Sequence, residues 1–289
     1  MSSASLTEGL SRIRPRLHRY CARLVGSAID GEDAVQDALA RAVEAFDPAA
    51  PPDNLEAWVF RIAHNSAMDL LRRRARAERL AASRELDDMI GNHPDTAARV
   101  AAATALRTFM RLPAGPRSAV ILMDVLGYSL EEIAATTDAS VAAVKASLHR
   151  GRQRLRELRS VPEQPFPPLD EATVARLGHY VDRFNARDFA AVRALLAEDV
   201  ALEVVGRATL RGRAQVSGQY FTNYALAHDW TFAPGLVEGK PALIALDPER
   251  PGRPPLYFVL TEWAGPHLKR ARDFRHASYA IEGADVELL

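Results

Sequence analysis

The chain has 289 residues, 48% of them apolar and 26% charged, a balance that supports buried cores and excludes a disordered polymer. Lys and Arg match Asp and Glu at 37 each, so no global field singles out nucleic acid, and a lone Cys21 excludes a disulfide framework or a zinc site of several thiolates. No 18 apolar residues run unbroken and the first residues carry no apolar segment, so a cytoplasmic protein without membrane contact is expected.

Residues 30–46 repeat apolar side chains at helical spacing. Ala34, Val35, Ala38, Leu39, Ala42, Val43 and Phe46 form one stripe, and Glu32, Asp33, Gln36, Asp37, Arg41 and Glu44 form the opposite face. Three prolines within 47–54 forbid continued helix. A long helix is predicted from about Leu55 to Ala77, burying Leu55, Trp58, Val59, Ile62, Ala63, Ser66 and Leu70. Its other face lines up Arg61, Asn65, Asp69, Arg72 and Arg76. Trp58 and Phe60 lie beside the proline loop, where an aromatic could stack on an unpaired base, although Trp58 also fits the buried stripe.

Residues 81–98 are acidic and contain Gly91-Asn-His-Pro94, a linker pattern. Helices are predicted over Thr96–Arg111 and Pro116–Leu126. A short helix over 130–136 follows a Ser129/Glu132 capping box, and a further helix runs from Ser140 to Leu158. The last two, joined at Thr137-Asp-Ala139, make a helix-turn-helix pattern. The second of them carries an apolar seam of Val141, Val144, Leu148, Leu155 and Leu158. A separate stripe holds Lys145, His149, Arg152 and Arg156, within a stretch (99–160) of ten Lys or Arg against five Asp or Glu. A helix so divided can enter a major groove, while the solvated face of an ordinary bundle helix shows the same pattern.

Four prolines in residues 161–168 make a stiff linker and the clearest domain boundary. Beyond it, helices are predicted over about 170–186, 188–197 and 213–227. Strands are predicted at Val200–Val205, Trp230–Leu236, Ala242–Leu246, Leu256–Trp263 and about Leu268–Tyr279. Helices first and strands later argue for a compact α+β domain.

Two sets of residues resemble a known family. The run Asp30-Gly-Glu-Asp-Ala-Val-Gln-Asp-Ala-Leu-Ala-Arg41, with Leu55-Glu-Ala-Trp-Val-Phe-Arg-Ile-Ala-His-Asn65 and Asp69-Leu-Leu-Arg-Arg73, is similar to region 2 of extracytoplasmic-function (ECF) sigma factors. Leu112-Pro113, Arg117, Gly127-Tyr-Ser-Leu-Glu-Glu-Ile-Ala134 and Val144-Lys145 with Leu148-His-Arg150 resemble their region 4. The resemblance implies two all-α modules, region 2 over 6–80 and region 4 over 99–160, separated by the 81–98 linker. It also implies no enzymatic activity, no cofactor and no metal. The partners implied are promoter DNA and core RNA polymerase, gripped at the β′ clamp and the β flap.

Family roles then fall on matching positions. Asp33, Gln36 and Asp37 would bind the polymerase clamp. The 47–54 loop with Asn65, Asp69, Arg72, Arg73 and Arg76 would open and read the minus-10 element. Ser140, Lys145, His149, Arg150, Arg152 and Arg156 would read the minus-35 element. Two departures stand out: Asp138 occupies the turn where the family has Gly, and Ser147 stands where its recognition helix has Arg. Asp tolerates a left-handed backbone, so the turn is expected to survive.

The 170–289 segment, with Tyr180-Val-Asp-Arg-Phe-Asn-Ala-Arg-Asp188, Leu195-Leu-Ala-Glu-Asp-Val200 and Arg211-Gly-Arg213, resembles the SnoaL-like cone fold. That resemblance implies a curved sheet round a helix, a regulatory role, and a candidate small-molecule pocket built from Tyr220, Tyr224, Trp230, Trp263, Asp273 and His276. Plain core and rim residues would show the same composition. The alternative function is a polymerase-independent helix-turn-helix regulator with a ligand-sensing domain.

Overall fold

A computed structural model describes residues 3–81, 106–158, 166–227 and 229–289, and divides the chain into two units, Met1–Gln164 and Pro165–Leu289. The expected 81–98 linker, much of the expected helix over 96–111 and most of the 161–169 linker lie outside the described residues.

The first unit is helical among its described residues: α1 (Ser3–Val25), α2 (Ala28–Ala45), α3 (Leu55–Ala81), α4 (Leu106–Phe109), α5 (Ala114–Val120), α6 (Leu130–Thr137) and α7 (Val141–Leu158), with a π-helical turn at Ile121–Val125. Side chains cap the starts. Ser27 Oγ accepts from the Asp30 N–H at 3.1 Å, and Asn54 Oδ1 accepts from the Ala57 N–H at 3.0 Å. Ser129 and Glu132 complete the expected capping box at the head of α6, each side chain accepting from the other residue's backbone N–H.

One apolar core joins these helices, from Leu6 and Leu17 on α1 through Val35, Val59 and Phe60 to Ile121, Leu148 and Leu158. Phe60 is its aromatic centre, with ring centroids 5.8 Å from Tyr20 and 5.2 Å from Tyr128. The expectation that Phe60 could face a base is therefore corrected: it is fully buried. Val43, expected on the apolar stripe of α2, is exposed. Glu32, expected on the polar face, is fully buried against Arg14.

α7 crosses α5 at Gly151. A Cβ there would lie 2.6 Å from Val120 Cγ2 and 2.8 Å from the Pro116 carbonyl oxygen, distances no methyl can occupy without moving backbone. Gly151→Ala should cost about 1–3 kcal/mol by overpacking. Urea unfolding followed by far-UV circular dichroism checks this, and an unchanged midpoint would contradict the close crossing.

The second unit begins with α8 (Glu171–Asn185) and α9 (Phe189–Ala194), capped by Asp170 and Asp188. Strands β1 (Leu196–Val204) and β2 (Ala208–Arg211) follow, then α10 (Arg213–Gln215), a π turn (Val216–Tyr220) and α11 (Phe221–Leu226). The rest is β3 (Thr231–Val237), β4 (Lys240–Leu246), β5 (Tyr257–Ala264), β6 (His267–Asp273), a 3-10 helix (Arg275–Ile281) and β7 (Val286–Leu288). The seven strands form one sheet in the order β2-β1-β6-β5-β4-β3-β7, antiparallel except where β1 runs parallel to β6. With α8 packed over β3 and β4, this is the helix-and-mixed-sheet α+β architecture expected for this segment.

The strand expected to reach Tyr279 stops at Asp273. Its carboxylate accepts the Arg275 N–H at 2.8 Å, a local turn that breaks the extended run and starts the 3-10 helix. β2 and β7 were not anticipated; at four and three residues they are too short to carry an alternation signal.

Candidate nucleic-acid interface

α3 and α7 each bury one face and present the other. On α3, Asn65, Arg72, Arg73 and Arg76 are exposed and Asp69 is half-buried. Asp69 is not isolated: its Oδ1 accepts from Arg72 at 3.0 Å and its Oδ2 lies 3.6 Å from Arg41 of α2. Arg74 turns away from this stripe and pairs with Asp30. Trp58 is half-buried against the core. Residues 47–54, at the head of α3, have extended and turn backbone and mostly exposed side chains.

His64, one position before Asn65, points inward. Its Nδ1 and the Tyr20 hydroxyl share a hydrogen bond at 2.7 Å. Burial, with help from the Arg72 charge, pushes its pKa down from 6.5 to about 4. The unfolded chain therefore takes the proton first, and stability falls as pH drops from about 6.5 towards 4, by about 3 kcal/mol in total. Stability of the wild-type chain minus that of His64→Gln, measured at pH 7 and pH 4, should shrink by that order. An equal difference at both pH values would contradict the assignment.

In the helix-turn-helix, Asp138 adopts φ 53°, ψ 46°, the left-handed conformation foreseen for the turn. The Ala139 N–H returns to the Ala134 carbonyl at 3.0 Å and closes the end of α6. Ser140 Oγ accepts the Ala143 N–H at 3.2 Å, so its hydroxyl starts α7. Lys145, His149 and Arg150 are exposed along one side, and Arg156 is half-buried. Arg152 is engaged elsewhere: its fork holds the buried Asp124 carboxylate of the π turn at 2.9 and 2.5 Å. This bidentate pair braces α7 against the π turn that follows α5, which helical spacing alone could not distinguish from a free cation.

On α2, Asp33 is exposed, while Gln36 and Asp37 are half-buried. Asp37 Oδ2 lies 3.1 Å from Arg41, one turn on.

In the second unit, Tyr220, Tyr224 and Asp273 come together. Asp273 accepts from the Tyr220 hydroxyl at 2.9 Å and from the Tyr224 hydroxyl at 2.8 Å. Burial raises the Asp273 pKa above the ordinary carboxylate value, and these donors oppose the rise. Trp230 packs against Tyr224 with centroids 5.2 Å apart, under the Arg187 guanidinium. Trp263 stacks edge-on against Tyr180. His276, on the 3-10 helix, is exposed rather than part of this buried cluster.

Residues 10–77 match Sigma-70 region 2, and residues 104–155 match Sigma-70, region 4. The ECF RNA polymerase sigma factor EcfG of Rhodopseudomonas palustris is 32% identical over 174 residues, 57% of this chain and 92% of that protein. The chain belongs to the ECF sigma factor family.

A further ECF relative, SigE of Mycolicibacterium smegmatis, is 33% identical over 149 residues; the match covers 49% of this chain and spans only 56% of that protein's length. The crystal structure of the Mycobacterium tuberculosis ECF sigma factor SigJ is 19% identical with a TM-score of 0.36, covering 92% of this chain and 95% of that one. Within the region 2 match, sequence reasoning placed Arg41 on the polar face without assigning it a role. Its position four residues after Asp37 was the available signal.

Proposed function

We propose that this chain binds core RNA polymerase and directs it to promoters as an ECF sigma factor. The observation that supports this most strongly is the pair of differently built exposed stripes in one unit. On α3, Asn65 and the cations Arg72, Arg73 and Arg76 suit a strand being opened, with Asp69 set between them. On α7, Ser140, Lys145, His149 and Arg150 suit duplex read in a major groove. In this reading Asp33, Gln36 and Asp37 contact polymerase, Arg156 holds a phosphate, and Arg152 contributes by positioning α7. The residues from Pro165 onward then modulate activity.

Transcription in vitro, with sigma-free core polymerase and a genomic fragment library, tests the proposal when transcript 5′ ends are sequenced. Initiation at a shared two-part motif is the expected result. Silence, combined with sequence-specific DNA binding by the chain alone, would instead favour an independent helix-turn-helix regulator. A chain ending after residue 164 should start transcription at altered strength; unchanged strength and response would remove the modulating role.

A further inference from the structure

Four charged side chains run in alternating sign from α2 to α3. Asp37 Oδ2 lies 3.1 Å from Arg41, Arg41 lies 3.6 Å from Asp69 Oδ2, and Asp69 Oδ1 accepts from Arg72 at 3.0 Å. Among the described residues, Arg41 bridges the two acids, Asp37 on the polymerase-facing helix and Asp69 on the promoter-facing helix. We infer that Arg41 is a positioning residue that couples the polymerase face to the minus-10 face. The inference rests on the sigma-factor reading above.

Stability does not explain the chain. Asp37, Arg41 and Asp69 are each about 40% exposed, at 41%, 43% and 40%, and Arg72 is 71% exposed. Ion pairs between side chains this exposed add little to a fold, although the Asp37 Oδ2 atom facing Arg41 is itself buried. They can set where side chains point. With one Asp69 oxygen on Arg72 and the other facing Arg41, the carboxylate plane is held from both sides. The planar Arg41 fork suits two acceptors in a way that a lysine ammonium does not.

The coupling is competitive. A basic surface that engages the Asp37 carboxylate draws it away from Arg41. The Arg41 charge then falls wholly on Asp69, which loosens its hold on Arg72 and frees that guanidinium for a phosphate. Linkage makes the effect reciprocal: DNA on Arg72 strengthens the grip on polymerase at Asp37.

The experiment compares wild type, Arg41→Gln, Arg41→Lys, Asp69→Asn and the Arg41→Gln/Asp69→Asn double variant as full-length chains. Affinity for core polymerase is read from titration of a fluorescently labelled chain. Promoter opening is read from permanganate reactivity of thymines in the minus-10 element. Arg41→Gln should bind core at least as tightly as wild type yet open the promoter about tenfold less, with an unchanged melting temperature. Arg41→Lys should recover part of the loss. Adding Asp69→Asn to Arg41→Gln should recover opening rather than lower it further, because it removes the carboxylate that then holds Arg72.

Equal losses in core affinity and opening for Arg41→Gln would mark a purely structural residue and overturn the inference. Wild-type behaviour of Arg41→Gln in both assays would do the same, as would independent, multiplicative effects of Arg41→Gln and Asp69→Asn. A wild-type chain that fails to bind core and opens no promoter would overturn the sigma-factor reading, and the coupling with it, before any variant is compared.

Discussion

Glu32→Ala should destabilise the helical unit by about 3–5 kcal/mol, the loss expected when one partner of a buried ion pair is removed. Glu32 has no exposed surface, and Arg14, which it pairs with, is only 19% exposed. Next to them His18 is buried, its Nε2–H donating to the Ala28 carbonyl at 2.9 Å. Burial lowers the His18 pKa, with the Glu32 charge opposing that shift only in part, so His18 is neutral and the loss of the carboxylate falls on Arg14. Urea unfolding monitored by far-UV circular dichroism reads the change. Glu32→Gln, which keeps an acceptor without the charge, should lie between wild type and alanine. A loss below about 1 kcal/mol for Glu32→Ala would show that Arg14 finds water or another acceptor.

Phe184→Ala should cost the second unit a comparable amount, about 3–5 kcal/mol. The Phe184 ring lies 5.2–5.9 Å, centroid to centroid, from Tyr180, Phe189, Phe221, Tyr224, Trp230 and Phe232. Most of these contacts are edge-to-face, the arrangement that adds attraction beyond buried area. Truncation opens a cavity at the point where α8, α11 and β3 meet. Trp230 is 5.5 Å from the lost ring, so its fluorescence should report the unfolding. Retention of the wild-type midpoint would mean that the surrounding rings repack into the space.

Much of this molecule was legible before any coordinates. The Ser129/Glu132 box, the left-handed Asp138 and the start of α7 at Ser140 are local matters of two or three residues, and local rules read them correctly. The exposure of Asn65, Arg72, Lys145 and His149 also followed from helical period. What failed depended on partners far away in sequence. Glu32 is drawn inward because Gly31 lets α2 approach α1 so closely that a Cβ would meet Ala22 Cα at 2.5 Å. Arg152 looked like one more cation of the stripe until the π turn delivered Asp124 to it. Phe60 is core because Tyr128, from another part of the chain, covers it. A local miss is the strand expected to reach Tyr279, which Asp273 ends with its own side chain.

The parallel seam in the sheet has a consequence for how this protein comes into being. Strands β3, β4, β5 and β6 join through successive antiparallel neighbours and can zip locally, but β1 must wait for β6, with Leu202 seated beside Ala271. The apolar core of the first unit is already complete by Leu158. During synthesis, therefore, the helices of the first unit can fold while β1 still presents an open edge to solvent. A function that needs the closed sheet therefore begins later than one that needs the helical unit alone.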